Sequence, residues 1–508
     1  MRALALTVLA GILLCACSLS GSDAKGARGN PAAKKPRRPH VVLIVFDEFD
    51  GDILLGPKRR IDAGRYPHFA ALARDGTWFP NAHTSYDSTT KAVPLILDGI
   101  APRKGTAPTA RDHPQSIFTA LGRRGYRIVS SEEATALCPQ RYCPSERRTR
   151  PAILPNLKGG RAERFERFTR SIRASRRPTF WMKHALLPHG PWVYLPSGER
   201  SRPEGPELLP GMQTVPGFYD YYLRHHNEQR QLLQLGFADR LLGRLVGRLK
   251  SQRMYDDTLI VVTADHGFSW KLGVETRRRV DLSNVDELGP VPLIVKQPGR
   301  PAGRVNRALA RTLDLAPTIA DVLNVPLGYR PDGRSAFSRA VGARRIVSIV
   351  KRDFSAVVRL SGRAWRARRA VVVRRRLREL DWGDWSSLFT AFGPHRELIG
   401  RSVGGVRAAS RSATLALARS FARVRRASGV VPTQVAGRIH GSGLRRERDI
   451  AVAVNGRIAA VGRSFHLRGQ AVESYSVMVP EDSLREGHNR IEVLEVADSG
   501  RMALLAHS

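Results

Sequence analysis

Short runs of consecutive apolar residues, rich in Val, Ile and Phe, recur along the first part of the chain. They lie at His40–Phe46, Arg127–Ser130, Thr179–Lys183, Thr258–Thr263 and Val291–Val295. A run that is apolar at successive positions is typical of a strand covered on both faces. The intervening segments have helical spacing, most clearly within His225–Lys250, where Leu241, Leu245 and Leu249 recur every four residues. The pattern predicts an α/β fold, a mostly parallel central sheet flanked by helices, with functional residues at strand ends.

The C-terminal part of the chain has a different pattern. Residues 344–435 mix basic and apolar segments, and we expect a helical stretch around Ala408–Arg426. From Ala436 onward, short segments such as DIAVAVNGRIAAVGRSF read as strands. Asn455-Gly456 inside that segment is a hairpin signal, because this pair accepts the positive φ angles of a type I′ turn. The pattern predicts an antiparallel β-sandwich.

The N-terminus has the pattern of an export signal. The apolar run from Ala3 to Ala16 is shorter than the about 20 residues that span a bilayer. Leu14-Cys15-Ala16-Cys17 is similar to the lipobox of bacterial lipoproteins, which makes Cys17 the candidate lipidation site. An ordinary signal peptide or an uncleaved anchor is the alternative. We expect an extracytoplasmic protein anchored at the cell membrane.

These patterns divide the 508 residues into five parts, in keeping with domains of roughly 100–200 residues each. They are a signal peptide at 1–17, a flexible basic linker at 18–39, an α/β catalytic domain at 40–343, a basic connecting region at 344–435 and a β-sandwich domain at 436–508. The linker is rich in Gly, Ala, Ser, Pro and Lys, a composition that cannot bury apolar area.

The composition is strongly basic. The chain has 84 Lys and Arg against 45 Asp and Glu, a formal net charge of +39, and a hydrophobic fraction of 42% that excludes a wholly disordered chain. Such an excess suggests an anionic partner, whether nucleic acid, anionic lipid or phosphorylated polymer. Because Arg is spread over the whole chain, compositional bias explains the charge equally well. The sequence has no recognisable nucleic-acid-binding module, so we expect an anionic envelope lipid or polymer and a membrane surface instead.

Cys138 and Cys143 are the only cysteines beyond the N-terminal signal. Their spacing and flanking prolines predict a small disulfide loop in an exported protein. The alternative is one half of a metal site, but no second Cys or His pair accompanies it.

Two pairs of metal-ligating residues follow predicted strands. Asp47 and Glu48 end the first strand, and Asp265 and His266 end a later one in TLIVVTADHG. Adjacent carboxylates at such positions are costly unless a cation or basic group neutralises them. Because the carboxyl ends of parallel strands share one edge, the pairs can converge on one divalent metal. Carboxylate with imidazole favours Zn²⁺ or Mn²⁺, with Ca²⁺ as the remaining option.

A third constellation is TSYDSTTKAVPLILDG, residues 84–99. Ser and Thr precede an apolar turn containing Pro94, an arrangement that can present a hydroxyl at a helix N-terminus, where free N–H groups bind an anion. A hydroxyl is a weak nucleophile unless a base or metal lowers its pKa. An ordinary Ser/Thr helix cap is the structural alternative.

In order and spacing these motifs resemble the alkaline-phosphatase superfamily, specifically its sulfatase-like branch, over residues 40–335. The resemblance rests on the acidic pair, RYPHFAALARDGTWFPNAHT, HALLPHGPWVY, ADHG, VPLIVKQPG and LDLAPTIADVL followed by PDGRS. Family arylsulfatases have a Cys or Ser that becomes formylglycine, with an Arg four residues later. Counting back from Gly99 puts Thr89 at the nucleophile position and Val93 at that of the Arg. The branch that uses an unmodified Thr has a Pro five residues later, which Thr89 and Pro94 match.

The resemblance implies a metal set of Asp47, Thr89, Asp265 and His266. Glu48 matches the second acidic residue of the sulfatase pair, so which of the two acids ligates stays open. Thr90 is the rival nucleophile if the register shifts by one residue.

The resemblance also implies roles for basic residues. His189 in HALLPHGP would touch the ester oxygen or act as general acid toward the leaving group, a role that its near-neutral pKa suits. His184 fits a core imidazole better. Lys91 or one of Arg277–Arg279 would stabilise the equatorial oxygens of the transferred group.

The sequence therefore predicts an exported, metal-dependent, sulfatase-like hydrolase or phosphotransferase. It would cleave or transfer a phosphate or sulfate ester on an envelope-associated anionic substrate through a Thr nucleophile. A catalytically silent cell-surface binding protein on the same fold is the alternative.

Overall fold

The computed structural model describes residues 38–144, 153–212, 220–273, 278–300, 303–390, 392–441, 447–467 and 469–508. The candidate lipidation site Cys17, nearly all of the linker, and Arg277 lie outside the described residues. No helix among those described is both long and apolar enough to span a membrane. The export signal and the membrane anchor therefore stay predictions.

A seven-stranded sheet lies at the centre of the predicted catalytic domain. Its strands are β1 (His40–Asp47), β2 (Thr77–Trp78), β3 (Arg127–Ser131), β4 (Thr179–Pro188), β5 (Thr258–Ala264), β6 (Leu293–Lys296) and β7 (Arg304–Val305). They are arranged in the order β3-β4-β1-β5-β6-β2-β7. The pairings are parallel except those of β6, which runs antiparallel to β5 and β2. The predicted mostly parallel sheet is confirmed, and every residue of β1 is buried, as its unbroken apolar run requires.

Helices flank this sheet. They are α1 (Pro67–Asp75), α2 (Thr89–Asp98), α3 (Ile117–Arg123), α4 (Ile153–Leu157), α5 (Arg161–Ser171), α6 (Tyr221–Ser251), α7 (Val285–Leu288), α8 (Leu315–Val322) and α9 (Arg339–Gly342). The helix expected within His225–Lys250 is α6, which buries Leu241, Leu245 and Leu249. Apolar side chains of α6 share one core with those of β1, β4 and β5.

Residues 344–435 form the hairpin β8 (Ile346–Val350) and β9 (Val357–Ser361), then α10 (Gly362–Glu379), α11 (Ser387–Thr390), β10 (Ser412–Ala413) and α12 (Ala418–Phe421). Leu380, Leu388 and Phe389 belong to the same core as the central sheet. The expected helix around Ala408–Arg426 is wrong, since only the four residues of α12 are α-helical there. Pairing of β10 with β11 and burial against the sandwich core override the helix propensity of this Ala-rich segment.

Two four-stranded antiparallel sheets form the predicted β-sandwich. The first contains β10, β11 (Gln434–His440), β15 (Glu473–Met478) and β14 (Phe465–His466), and the second contains β13 (Arg457–Arg463), β12 (Asp449–Val454), β16 (Ile491–Val496) and β17 (Met502–His507). Val435, Tyr475, Ile450 and Val493 from the two sheets share one apolar core. Asn455 has a φ of 51° at the turn between β12 and β13, as the hairpin signal predicts.

Candidate active site

Two neighbouring strands bring the predicted acidic pairs together. β1 and β5 are paired in parallel with Phe46 opposite Ala264, so both chains leave the sheet at the same edge. The backbone N–H of Glu48 donates to Asp265 Oδ1 at 3.2 Å, which ties the two strand ends to each other. The side chains of Asp47, Glu48 and Asp265 are fully buried. The site therefore contains several carboxylates in a region of low dielectric.

A third strand contributes His184, which the sequence did not single out as a ligand. β4 lies on the other side of β1, and His184 Nε2 is 3.5 Å from Asp47 Oδ2. Ligand atoms of Asp47, His184 and Asp265 lie within 4.8 Å of one another. A histidine inside an apolar strand gives no signal by itself. The strand order β4-β1-β5, which places this histidine beside Asp47, would have identified it.

Most of the side-chain polar atoms of this cluster lack hydrogen-bond partners within the described residues. Neither oxygen of Asp47, neither ring nitrogen of His184, nor Oδ2 of Asp265 has one. Burial, and next the carboxylate of Asp265, raise the pKa of Asp47 well above its ordinary value. Burial lowers the pKa of His184, which favours the neutral imidazole that ligates metals. Because buried polar groups normally find partners, these donors fit a divalent cation.

His266 lies between the carboxylates and the candidate nucleophile. Its Nδ1 donates to the carbonyl of Gly267 at 2.8 Å, so its Nε2 faces Thr89 Oγ1 at 3.5 Å and Asp265 Oδ2 at 3.4 Å. Burial alone would lower the pKa of His266, but the carboxylates of Asp265, Asp47 and Glu48 raise it. This position therefore favours a positive charge.

Thr89 is the first residue of α2 and is buried, whereas the rival Thr90 is exposed. Pro94 lies inside α2, and Gly99 ends the helix with a φ of 66°. A helix N-terminus offers free N–H groups and the positive end of the helix dipole to an anion. Of the two hydroxyls, that of Thr89 faces the acidic cluster through His266.

Lys91 is directed away from this cluster. Its ammonium group donates to the carbonyl of Thr106 and, at 2.6 Å, to the hydroxyl of the same residue. Lys91 is therefore occupied by the segment after α2. The structure does not bring it together with the other predicted catalytic residues.

Arg278 and His189 form a second basic element at the site. His189 Nδ1 donates to the carbonyl of Gly190 at 2.5 Å, and His189 Nε2 accepts from Arg278 at 2.7 Å and lies 3.7 Å from Glu48 Oε1. Arg278 also donates to Glu48 Oε1. Of the two described members of the predicted group Arg277–Arg279, Arg278 is the one in contact with site residues. Its guanidinium neutralises Glu48, so the two members of the acidic pair differ in their partners.

A sequence model of the Sulfatase family matches residues 39–325, more than half of the chain. The chain belongs to the sulfatase family. Membership confirms the resemblance to the alkaline-phosphatase superfamily. Thr89 as the nucleophile stays a prediction.

Individual relatives of this sulfatase-family chain are distant. It is 28% identical over 98 residues to arylsulfatase K of Bos taurus, which is 19% of this chain and 18% of the relative. It is 25% identical over 419 residues to the extracellular sulfatase SULF-1 homolog of Drosophila melanogaster, which is 70% of this chain and 36% of the relative. The chain thus spans well under two thirds of the length of these two relatives. The phosphonate monoester hydrolase of Agrobacterium radiobacter is a similar solved structure, with a TM-score of 0.45, 18% identity, and coverage of 65% of this chain and 82% of that one.

The sulfatase-family domain also contains the predicted disulfide. Cys138 and Cys143 are bonded with an S–S distance of 2.00 Å, which confirms the pairing over the half metal site. The backbone N–H groups of Leu137 and Cys138 donate to Glu132 at 2.8 Å, so the loop is held to the end of β3.

Proposed function

We propose that this sulfatase-family chain is a metal-dependent enzyme that cleaves or transfers a sulfate or phosphate ester through Thr89. The observation that carries the proposal is the buried cluster of Asp47, His184 and Asp265, in which both oxygens of Asp47, both ring nitrogens of His184 and Oδ2 of Asp265 lack a hydrogen-bond partner within the described residues. His266 links this cluster to Thr89, since its Nε2 is 3.5 Å from Thr89 Oγ1. A divalent metal bound there would lower the pKa of the nucleophilic hydroxyl and polarise the ester. The imidazole donors favour Zn²⁺ or Mn²⁺ over Ca²⁺.

The contacts of the acidic pair support Asp47 as the ligand and Glu48 as a neutralised neighbour. Glu48 is paired with Arg278, whereas both oxygens of Asp47 are without a hydrogen-bond partner in the described chain. His266, 3.4 Å from Asp265 Oδ2, extends the ligand set toward Thr89. We therefore assign Asp47, His184, Asp265 and His266 to the metal.

The hydroxyl of Thr89 gives its proton to solvent water, and its oxygen then attacks in line. A bond forms between its Oγ and the phosphorus or sulfur atom, and the bond from that atom to the leaving oxygen breaks. His189 gives a proton to the leaving oxygen. Water or an acceptor hydroxyl then attacks from the opposite side and gives its proton to His189. The bond from the phosphorus or sulfur atom to Thr89 Oγ breaks, and the Thr89 oxygen takes up a proton from solvent.

Arg278 prepares this step because it can change partners. It contacts His189 Nε2 and Glu48 Oε1. The equatorial oxygens of an incoming ester would compete for the same guanidinium donors. Movement of Arg278 to those oxygens would free His189 Nε2 to carry the proton for the leaving group.

The family and the sequence at the N-terminus support the proposed substrate class. Sulfatase membership supports a sulfate ester, while Thr89 in place of a formylglycine precursor supports a phosphate ester, including transfer to an acceptor. The export signal supports an anionic envelope lipid or polymer as the substrate. The cluster of unpartnered ligands near Thr89 favours catalysis over a silent binding protein.

The test is to trap the covalent intermediate and measure its mass on the peptide that contains Thr89. The expected result is a sulfate, phosphate, phosphoethanolamine or phosphoglycerol adduct on wild type and on Thr90→Ala, with none on Thr89→Ala. Ester cleavage should fall about 10⁴-fold or more in Thr89→Ala and little in the matched Thr90→Ala control. An adduct on Thr90 would show that the nucleophile is misassigned, and wild type without adduct, cleavage or metal would favour the silent protein.

A further inference from the structure

A large cavity lies away from the catalytic residues, between α1, the segment before it, strand β2, the edge strand β7 and α10. Its volume is about 1080 Å³. Small-molecule sites typically have volumes of about 300–1,000 Å³. No residue assigned to the ester chemistry lines it.

All the charged residues that line this cavity are cationic. Seven cationic residues and no Asp or Glu line it. Arg369 is paired with Asp52. The other six have no carboxylate within ion-pair distance in the described part of the chain: Lys58, Arg59, Arg60, Arg74, Arg307 and Arg366. Like charges gathered in a concave surface repel each other, and an anion that binds there removes the repulsion.

The wall of the cavity is apolar. Leu55 and Ala70 are nearly buried, Trp78 packs against the central core, and Val305 at the edge strand is 51% exposed. The one neutral amide is that of Asn81, which already donates to the carbonyl of Arg307 and accepts from Arg369. A hydrated sugar polymer would find few neutral hydrogen-bond groups here. A hydrocarbon chain would find apolar contact.

We propose that this cavity is a second, non-catalytic site that binds the phosphate head group and the adjoining acyl chain of an anionic phospholipid. The unpaired guanidinium groups would bind the phosphate by forked hydrogen bonds. The wall formed by Leu55, Trp78 and Val305 would take the hydrocarbon. Such a site would orient the domain on an anionic membrane independently of any N-terminal anchor.

The test uses the full chain on vesicles of phosphatidylcholine that contain photoactivatable phosphatidylglycerol, with photoactivatable phosphatidylcholine as the neutral probe. Cross-linked peptides are mapped by mass spectrometry, which separates the cavity from the N-terminal segment. The expected result is labelling of peptides that contain Leu55, Trp78 or Val305 by the anionic probe only. The double variant Lys58→Glu/Arg60→Glu should lower this labelling about tenfold or more, because each basic residue near an anionic surface contributes about 1 kcal/mol.

The matched control is Arg173→Glu/Arg176→Glu, which makes the same charge change at two exposed residues outside the cavity. It should retain the labelling, and Val305→Asn, which adds a polar group but no charge, should reduce it. Equal labelling by both probes, or labelling unchanged in Lys58→Glu/Arg60→Glu, would overturn the proposal. So would binding of a sulfated oligosaccharide in the cavity that Val305→Asn leaves unchanged, because the site would then be one for a polymer.

Discussion

Two groups of buried carboxylates follow one another at the end of β1, and their surroundings are opposite. Asp47 has no hydrogen-bond partner on either oxygen within the described residues. Asp50 and Asp52 are equally buried, yet each is bound by an arginine of α10. Arg376 donates to Asp50 at 2.7 Å, and Arg369 donates to both oxygens of Asp52 at 2.6 and 2.7 Å.

This difference in partners distinguishes carboxylates that stabilise the fold from carboxylates that are available to a ligand. Burial of any carboxylate is costly, and the cost must be offset by a cation from the protein or from a ligand. Asp50 and Asp52 have the first, and the cluster around Asp47 fits the second. The comparison also shows where part of the net charge of +39 lies. Arg369 and Arg376 of α10 are paired with buried carboxylates inside the fold, so not every basic residue is free to bind an anionic partner at the surface.

Glu228 is another buried carboxylate that is paired with arginines, and its substitution gives the largest predicted loss of stability. It accepts from Arg224 at 2.8 Å and from Arg376 at 3.1 Å, with no exposure. Glu228→Gln should lower the free energy of unfolding at pH 7 by about 3–5 kcal/mol, because it leaves buried guanidinium groups without their counter-ion. Urea unfolding measures this loss. Glu397→Gln, at a side chain that is 61% exposed, is the matched control and should cost little.

The loss of stability in Glu228→Gln should also depend on pH. Burial alone would raise the pKa of Glu228, but Arg375, Arg224 and Arg376 lower it to about 2. The contribution of Glu228 is therefore fully present above the unfolded pKa of about 4.5 and is lost as the pH falls toward 2. The difference in stability between wild type and Glu228→Gln should shrink over that window. A constant difference from pH 7 to pH 3 would contradict the ion-pair account.

The second prediction concerns metal binding by the cluster around Asp47. Adding Zn²⁺ or Mn²⁺ to chelator-treated protein should raise the free energy of unfolding by about 2.7 kcal/mol at a concentration 100 times the Kd. Glu228→Gln should show the same increment despite its lower baseline, because its carboxylate does not belong to the metal cluster. Thermal unfolding with and without chelator provides the measurement. No stabilisation of wild type by either ion would remove the metal from the account.

Much of this comparison could be predicted from the sequence, and the rest depended on tertiary packing. Unbroken apolar runs located β1 and β5, and the residues after them located Asp47 and Asp265. The role of His184 required the strand order, which no local pattern contains. The ion pairs of Arg369 with Asp52 and of Arg376 with Asp50 join residues that are 317 and 326 positions apart, so composition showed the arginines but not their partners.

The smallest predicted effect is at Asp239, a buried acid whose recorded partners are backbone N–H groups. It accepts from His68 at 3.1 Å and from Phe69 at 2.8 Å at the start of α1, and burial raises its pKa to about 7. Its ionisation therefore costs stability progressively as the pH rises from about 4 through 7. Asp239→Asn should become more stable relative to wild type by about 1–2 kcal/mol between pH 5 and pH 8. Asp257→Asn, at an exposed acid, should show no such trend, and a flat profile for both would contradict the assignment.

The central claim is that the unpartnered acids at the strand ends bind a divalent metal and the paired acids do not. The direct measurement is the metal content of folded protein after equilibration with Zn²⁺ or Mn²⁺, for wild type, Asp47→Asn and Asp52→Asn. The account predicts about one ion per chain for wild type and for Asp52→Asn, although the latter is less stable, and almost none for Asp47→Asn. Equal metal binding by Asp47→Asn and wild type, or no binding by wild type, would contradict it.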